Sequence, residues 1–143
     1  VALFFALYPD AWWIPTLRDA GLAALAMTLA FFLRFTIQYT VAMACFWVER
    51  ATAFEALNFV FYMFLSGMIA PLDVFPPAVR TFAEWTPYPY LVYFPAALLA
   101  DSTAEGLNIA RGFVVLIAWL AVFIVINRLL WRAGLARYSA MGA

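Results

Sequence analysis

The chain has 143 residues, of which 69% are hydrophobic and 11% charged, with a formal net charge of zero and a mean hydropathy of +0.96. A soluble domain is about half apolar and about a quarter charged, so a lipid bilayer is the solvent that fits this balance. The neutral charge offers nothing to nucleic acid, and the absence of histidine removes the commonest general base and the commonest metal ligand.

The chain opens with Val1 and the apolar run of residues 1–7, too short to cross a membrane and without the basic region of a signal peptide. These residues are expected to be the tail of a span whose start is missing, which would make the chain a fragment; the alternative is a flexible amino-terminal end. Residues 8–15, Tyr-Pro-Asp-Ala-Trp-Trp-Ile-Pro, combine turn formers with amphipathic rings and predict an interfacial turn. A first span is expected over residues 20–48, and its single cysteine, Cys45, is expected as a small core residue. Glu49 and Arg50 punctuate a short joint to a second span over residues 52–70. Near its end, Ser66 and Gly67 suit close helix packing. A third span is expected over residues 107–130, started by a polar turn in which Ser102 is the N-cap and Glu105 follows three residues on.

Between the second and third spans the sequence is apolar but broken. Six of the eight prolines fall between Pro71 and Pro95. Each removes a backbone donor and clashes with the preceding turn, so no straight helix runs through. Unpaired backbone is not tolerated against lipid, so the segment must lie at an interface or dip into the membrane while covered by protein. Pro76 and Pro77 suit a helix start. From there to Trp85, Val79 and Phe82 share one helical face and Arg80 and Glu84 another, which predicts a short amphipathic helix. After Pro87 and Pro89 comes a second apolar piece reaching about residue 100, too short to cross.

Charge sets the orientation. Arg50, Arg128, Arg132 and Arg137 fall on one side with Glu49 and Glu55, a balance of +2. Arg18, Arg80 and Arg111 fall on the other with six carboxylates, a balance of −3. The arginines clustered after the third span place the carboxyl terminus in the cytoplasm and the proline-broken segment outside.

Arg34 is the sharpest candidate for function. It sits near the middle of the first span, where a charge costs about 2.5–3.5 kcal/mol and normally faces protein or water. Gln38 lies one turn further on the same face. The two mark a polar point on a substrate path, or a structural arginine paired with a carbonyl or carboxylate. Asp73 is a candidate carboxylate whose bland role is to cap the short helix. Glu49 and Arg50 are an interfacial anchor and a candidate contact for a cytoplasmic partner. Ser66 has no histidine to activate it as a nucleophile. No cluster of metal-ligand type appears. With no lysine the chain has no Gly-x-x-x-x-Gly-Lys loop for nucleotide phosphates.

The run from Phe64 to Pro76 (Phe-Leu-Ser-Gly-Met-Ile-Ala-Pro-Leu-Asp-Val-Phe-Pro) and the run Pro87-Tyr-Pro-Tyr-Leu-Val-Tyr-Phe-Pro resemble the external end of an ATP-binding-cassette type 2 permease. Phe46-Trp-Val-Glu-Arg and the closing Gly-Leu-Ala-Arg-Tyr-Ser-Ala-Met-Gly-Ala add to the likeness, which covers nearly the whole chain in order. The resemblance implies an all-α polytopic transmembrane bundle, the carboxyl-terminal part of a six-span subunit. A re-entrant helix pair over residues 72–100, including Pro71, Asp73, Pro76, Pro77, Trp85, Pro87 and Pro89, would stand before the last span. It implies a bacterial inner-membrane exporter permease that pairs with a second permease subunit, homo- or heterodimeric, and with cytoplasmic ATP-binding-cassette ATPase subunits. No catalytic residue and no cofactor is expected on this chain. Read from the residues alone, an intramembrane enzyme built on Arg34 and Asp73, or a structural subunit of a membrane complex, are the alternatives.

Overall fold

The structure, a computed structural model, describes residues 16–48, 52–100 and 108–141, with side chains described as far as residue 136. The amino-terminal tail and interfacial turn, the Glu49–Arg50 joint and the Ser102 cap with Glu105 lie outside the described residues. The described residues are helical, with no strand among them.

Helix α1 spans Leu17–Met43. It starts where Thr16, in an extended conformation, accepts a hydrogen bond from the Asp19 amide at 3.2 Å. Besides Met43 at its end, its buried residues are Ala23, Ala26, Ala30, Leu33 and Ile37, spaced alternately by three and four. That spacing makes one seam, and the alanines let neighbouring backbones approach closely. A 3₁₀ turn, Ala44–Phe46, continues the helix. Successive residues of such a turn point about 120° apart. Phe46 packs on Trp131, and Cys45 faces outward: it is exposed, not the core residue its apolar run suggests.

Helix α2, Thr52–Leu65, has 14 residues, about 21 Å of rise. The hydrocarbon core is about 30 Å thick. The expected span to residue 70 is therefore cut short. Gly67 adopts φ +83°, the left-handed region that glycine tolerates, and the backbone bends over residues 66–70. A Cβ at Gly67 would also lie 3.1 Å from Tyr93 Cβ. Among the described residues, two helical stretches are long and apolar enough to cross: Leu17–Phe46 and Ile109–Ala136.

The proline-rich stretch folds as a 3₁₀ turn (Leu72–Val74), helix α3 (Pro77–Glu84), a second 3₁₀ turn (Tyr88–Tyr90) and helix α4 (Tyr93–Ala100). Pro77 occupies the first turn of α3, where a missing N–H costs nothing. Helix α5, Ile109–Met141, has 33 residues and runs past the expected end at 130. Gly134 does not stop it. It is buried inside the helix, where Phe46 covers the space a side chain would need.

Side-chain pairs fix the directions. Thr36 meets Asn127 and Phe46 meets Trp131, so α1 and α5 run parallel. Arg34 meets Tyr62 and Gln38 meets Asn58, so α2 runs antiparallel to α1. The proline-rich segment therefore sits at the end where α1 and α5 begin and α2 finishes. There α4 returns onto the alanine seam: Phe94 and Leu98 join Ala23, Ala26, Ala30, Leu33 and Leu116 in one buried cluster. Outside it, Phe31, Phe32, Phe35, Phe59 and Phe64 stand exposed on α1 and α2, a surface suited to lipid or a partner span.

Candidate functional site

The polar residues of α1 and α2 line up along their contact. The Arg34 guanidinium carbon stands 3.8 Å from the centre of the Tyr62 ring, a cation–π contact. Arg34 is half-buried. One turn on, Asn58 Nδ2 donates to Gln38 Oε1 at 2.8 Å. Asn58 Oδ1 in turn accepts from the Tyr88 hydroxyl at 3.0 Å. The Tyr88 ring also stacks on Phe61, with centroids 6.2 Å apart. One chain of contacts thus links α1, α2 and the turn between α3 and α4. A cleft of about 320 Å³ beside it is lined by Ile37, Thr40, Asn58, Phe61, Tyr88 and Phe123 among others.

The opposite flank of α1 is tied to α5. Asn127, 7% exposed, donates through Nδ2 to the Thr36 carbonyl at 3.0 Å. Its Oδ1 accepts from the Thr40 hydroxyl at 2.7 Å. Both halves of the amide are used, as a buried amide requires.

At the proline-rich end, Asp73 does not cap α3. Pro76 holds the cap position without a side-chain bond, because Asp73 lies within the preceding 3₁₀ turn, too far back in the chain. Asp73 instead ties the segment together. Its Oδ1 lies 3.1 Å from Arg80 Nη1, and its Oδ2 accepts from the Tyr93 hydroxyl at 2.9 Å. Arg80 also reaches Glu84 at 3.3 Å, on the helical face the sequence pairs them on. All three charged groups are substantially exposed, so the bridges act as a positional clamp more than a store of stability. Burial raises the Tyr93 hydroxyl above its ordinary value, and the Asp73 hydrogen bond adds to the shift.

Of the residues singled out from sequence, Arg34 and Gln38 stand on one line, joined through α2. Arg34 and Asp73 have different partners, and nothing described brings them into one site. Pro87 and Pro89 are buried and shape the turn that presents Tyr88 and Tyr90. Trp85 is 78% exposed, as suits an interfacial ring. Pro71 precedes the first 3₁₀ turn. Glu49 and Arg50 lie outside the described residues. Asn58, Tyr62 and Asn127 were not singled out from sequence. The available signal was an amide, or a ring with a polar end, inside an otherwise apolar run. Ser66 Oγ, fully buried, has no hydrogen-bond partner among the described residues. No group of metal-ligand residues occurs among the residues described.

A family model described as "ABC-2 family transporter protein" matches residues 14–142. No curated protein and no solved structure matches the chain.

Proposed function

The chain belongs to the ABC-2 family of transporter proteins, and from that premise we propose that it is a permease subunit of an ATP-driven exporter. The family match, which spans nearly the whole chain, carries this reading. In it, α1, α2 and α5 are the fourth, fifth and sixth spans of a six-span subunit, and the chain is its carboxyl-terminal part. Helices α3 and α4 are the pair that closes the outer end of the path. The carboxyl terminus lies in the cytoplasm of a bacterial cell and the spans lie in its inner membrane.

The Arg34–Tyr62 and Gln38–Asn58–Tyr88 contacts support the choice of the α1–α2 face as part of the path. A polar line beside a cleft gives a substrate somewhere to exchange hydrogen bonds in an otherwise apolar bundle. Its link to Tyr88 offers a mechanical connection between the middle of the spans and their outer end. Two arrangements of that line, one with Tyr88 on Asn58 and one without, would correspond to a closed and an open outer end.

In this reading ATP hydrolysis belongs to separate cytoplasmic ATPase subunits and a second permease subunit completes the path; the 143 residues, which hold no lysine, contain no Gly-x-x-x-x-Gly-Lys loop. Most of the ATPase contact lies outside this chain, with Glu49 and Arg50 contributing a small part. The test is a pull-down of the cognate ATPase with the six-span protein and, separately, with residues 1–143, beside an ATP-binding assay on both. The six-span protein should retain the ATPase, the shorter chain should hold it weakly, and neither should bind ATP. Tight nucleotide binding by residues 1–143 alone would overturn the reading.

A further inference from the structure

A second and larger cavity, of about 610 Å³, lies at the proline-rich end, away from the Asn58 cleft. This volume is in the range of small-molecule sites. Helix α3 and the Leu72–Val74 turn form one wall, the Tyr90–Phe94 stretch and α4 a second, and the first turn of α5 a third. The wall next to α4 is apolar and aromatic, made by Tyr90, Tyr93, Phe94 and Ala97.

The charges in the walls are separated by sign. Asp73 and Glu84 share a single arginine, Arg80, so that cluster is negative by one charge. Arg111, on α5, lines the same cavity, and no described carboxylate pairs with it. Asn108 does not neutralise it either. It carries no charge, and its Oδ1 accepts the Arg111 backbone amide at 2.9 Å. The Tyr90 hydroxyl senses both signs: burial raises its pKa, Arg111 draws it down and Glu84 pushes it up. One phenol is thus within electrostatic range of both charges.

A negative cluster, a positive guanidinium and an apolar wall call for a ligand with a cation, an anion and a hydrocarbon body. We propose that this cavity binds a phospholipid whose headgroup carries a phosphate and a primary amine. The phosphate sits on Arg111, where a guanidinium offers paired donors. The ammonium faces the Asp73–Glu84 cluster. An acyl chain lies along Phe94 and Ala97. The position suits such a ligand, since the cavity is at the end of the bundle that carries the exposed ring of Trp85. The proposal rests on the chain being a membrane protein and is independent of the ATPase partner and of the direction of transport.

The experiment is native mass spectrometry of the purified permease in detergent, supplied with dioleoyl phosphatidylethanolamine or with dioleoyl phosphatidylglycerol, which lacks the amine. The expected result is one saturable phosphatidylethanolamine adduct per chain, with phosphatidylglycerol bound several-fold less. Arg111→Gln should weaken the phosphatidylethanolamine adduct by about tenfold or more, the scale of one charge-assisted contact. Glu84→Gln should abolish the preference between the two lipids. Ala97→Phe, which fills the cavity without touching a charge, should remove the adduct while gel filtration and melting temperature show an intact protein. Equal binding of both lipids by the unaltered protein, or an adduct that survives both Arg111→Gln and Ala97→Phe, would overturn the proposal. Displacement of the lipid by an equal concentration of soluble phosphoethanolamine would overturn the lipid as ligand, leaving a site for the headgroup chemistry alone.

Discussion

The Arg34 guanidinium rests on the face of the Tyr62 ring, 3.8 Å from its centre. A cation inside an apolar bundle needs a compensating partner, and here the partner is a ring quadrupole rather than a carboxylate. Among the described residues no hydrogen bond is made to the guanidinium N–H groups, and in the proposed reading these are the groups that would meet a substrate oxygen. The ring contact also makes Tyr62 the residue on which the position of Arg34 depends.

Tyr62→Leu should lower stability by about 0.5–2 kcal/mol, while Tyr62→Phe should retain most of the contact. Arg34→Ala in the six-span protein should alter transport or substrate-stimulated ATPase activity. If Arg34 is only structural, the same change lowers yield and melting temperature together. Thermal melts and transport assays on the three variants separate these outcomes. A stable and fully active Arg34→Leu variant would remove Arg34 from both roles.

Asn127 joins α5 to α1 through both ends of its amide. Asn127→Leu fits the volume but loses both bonds, and leaves the Thr40 hydroxyl to its own helix, where it lies 2.9 Å from the Thr36 carbonyl. The expected loss is about 1–2 kcal/mol, the scale of an interhelical polar contact in a membrane. Thr40→Val should cost less, since the Asn127 bond to the Thr36 carbonyl survives it. Melting temperatures in detergent, compared as a double-mutant cycle, test the coupling.

Gly112 has no room for a side chain because the Phe94 ring occupies the place of a Cβ. Gly112→Ala should therefore push Phe94 off α5 and destabilise the protein by about 1–3 kcal/mol, the usual scale of overpacking. Combining it with Phe94→Leu should recover part of the loss. Gly134→Ala should behave in the same way, with Phe46→Leu as the second change. Failure of both double variants to recover would mean that helix distortion, not the ring clash, sets the cost.

The orientation is tested by labelling. In a Cys45→Ser background, a cysteine at Thr81 on α3 should react with an impermeant thiol reagent in intact cells. One at Ser139 should react only after the cells are opened. Replacing Cys45 is necessary because that thiol is exposed. The reverse pattern would invert the orientation and with it the role given to α3 and α4.

The sequence by itself determined the solvent, the helical class and the order of elements. Apolar runs of this length have one stable form in lipid, and prolines closely spaced between residues 71 and 95 exclude a continuous helix. The amphipathic face of α3 was legible because Arg80 and Glu84 stand four residues apart, a purely local relationship. Where α2 stops was not legible. Its apolar run continues to residue 70, and only the left-handed turn at Gly67, fitted against Tyr93, ends it at Leu65. The Tyr62 partner of Arg34, the Tyr93 partner of Asp73 and the Thr36 and Thr40 partners of Asn127 were equally hidden, because each lies on an element distant in the chain. Composition and periodicity are local and survive in any fold. Which ring covers a glycine, which phenol meets a carboxylate and which charge is left without a partner depend on how the helices pack, and the tertiary structure alone decided those.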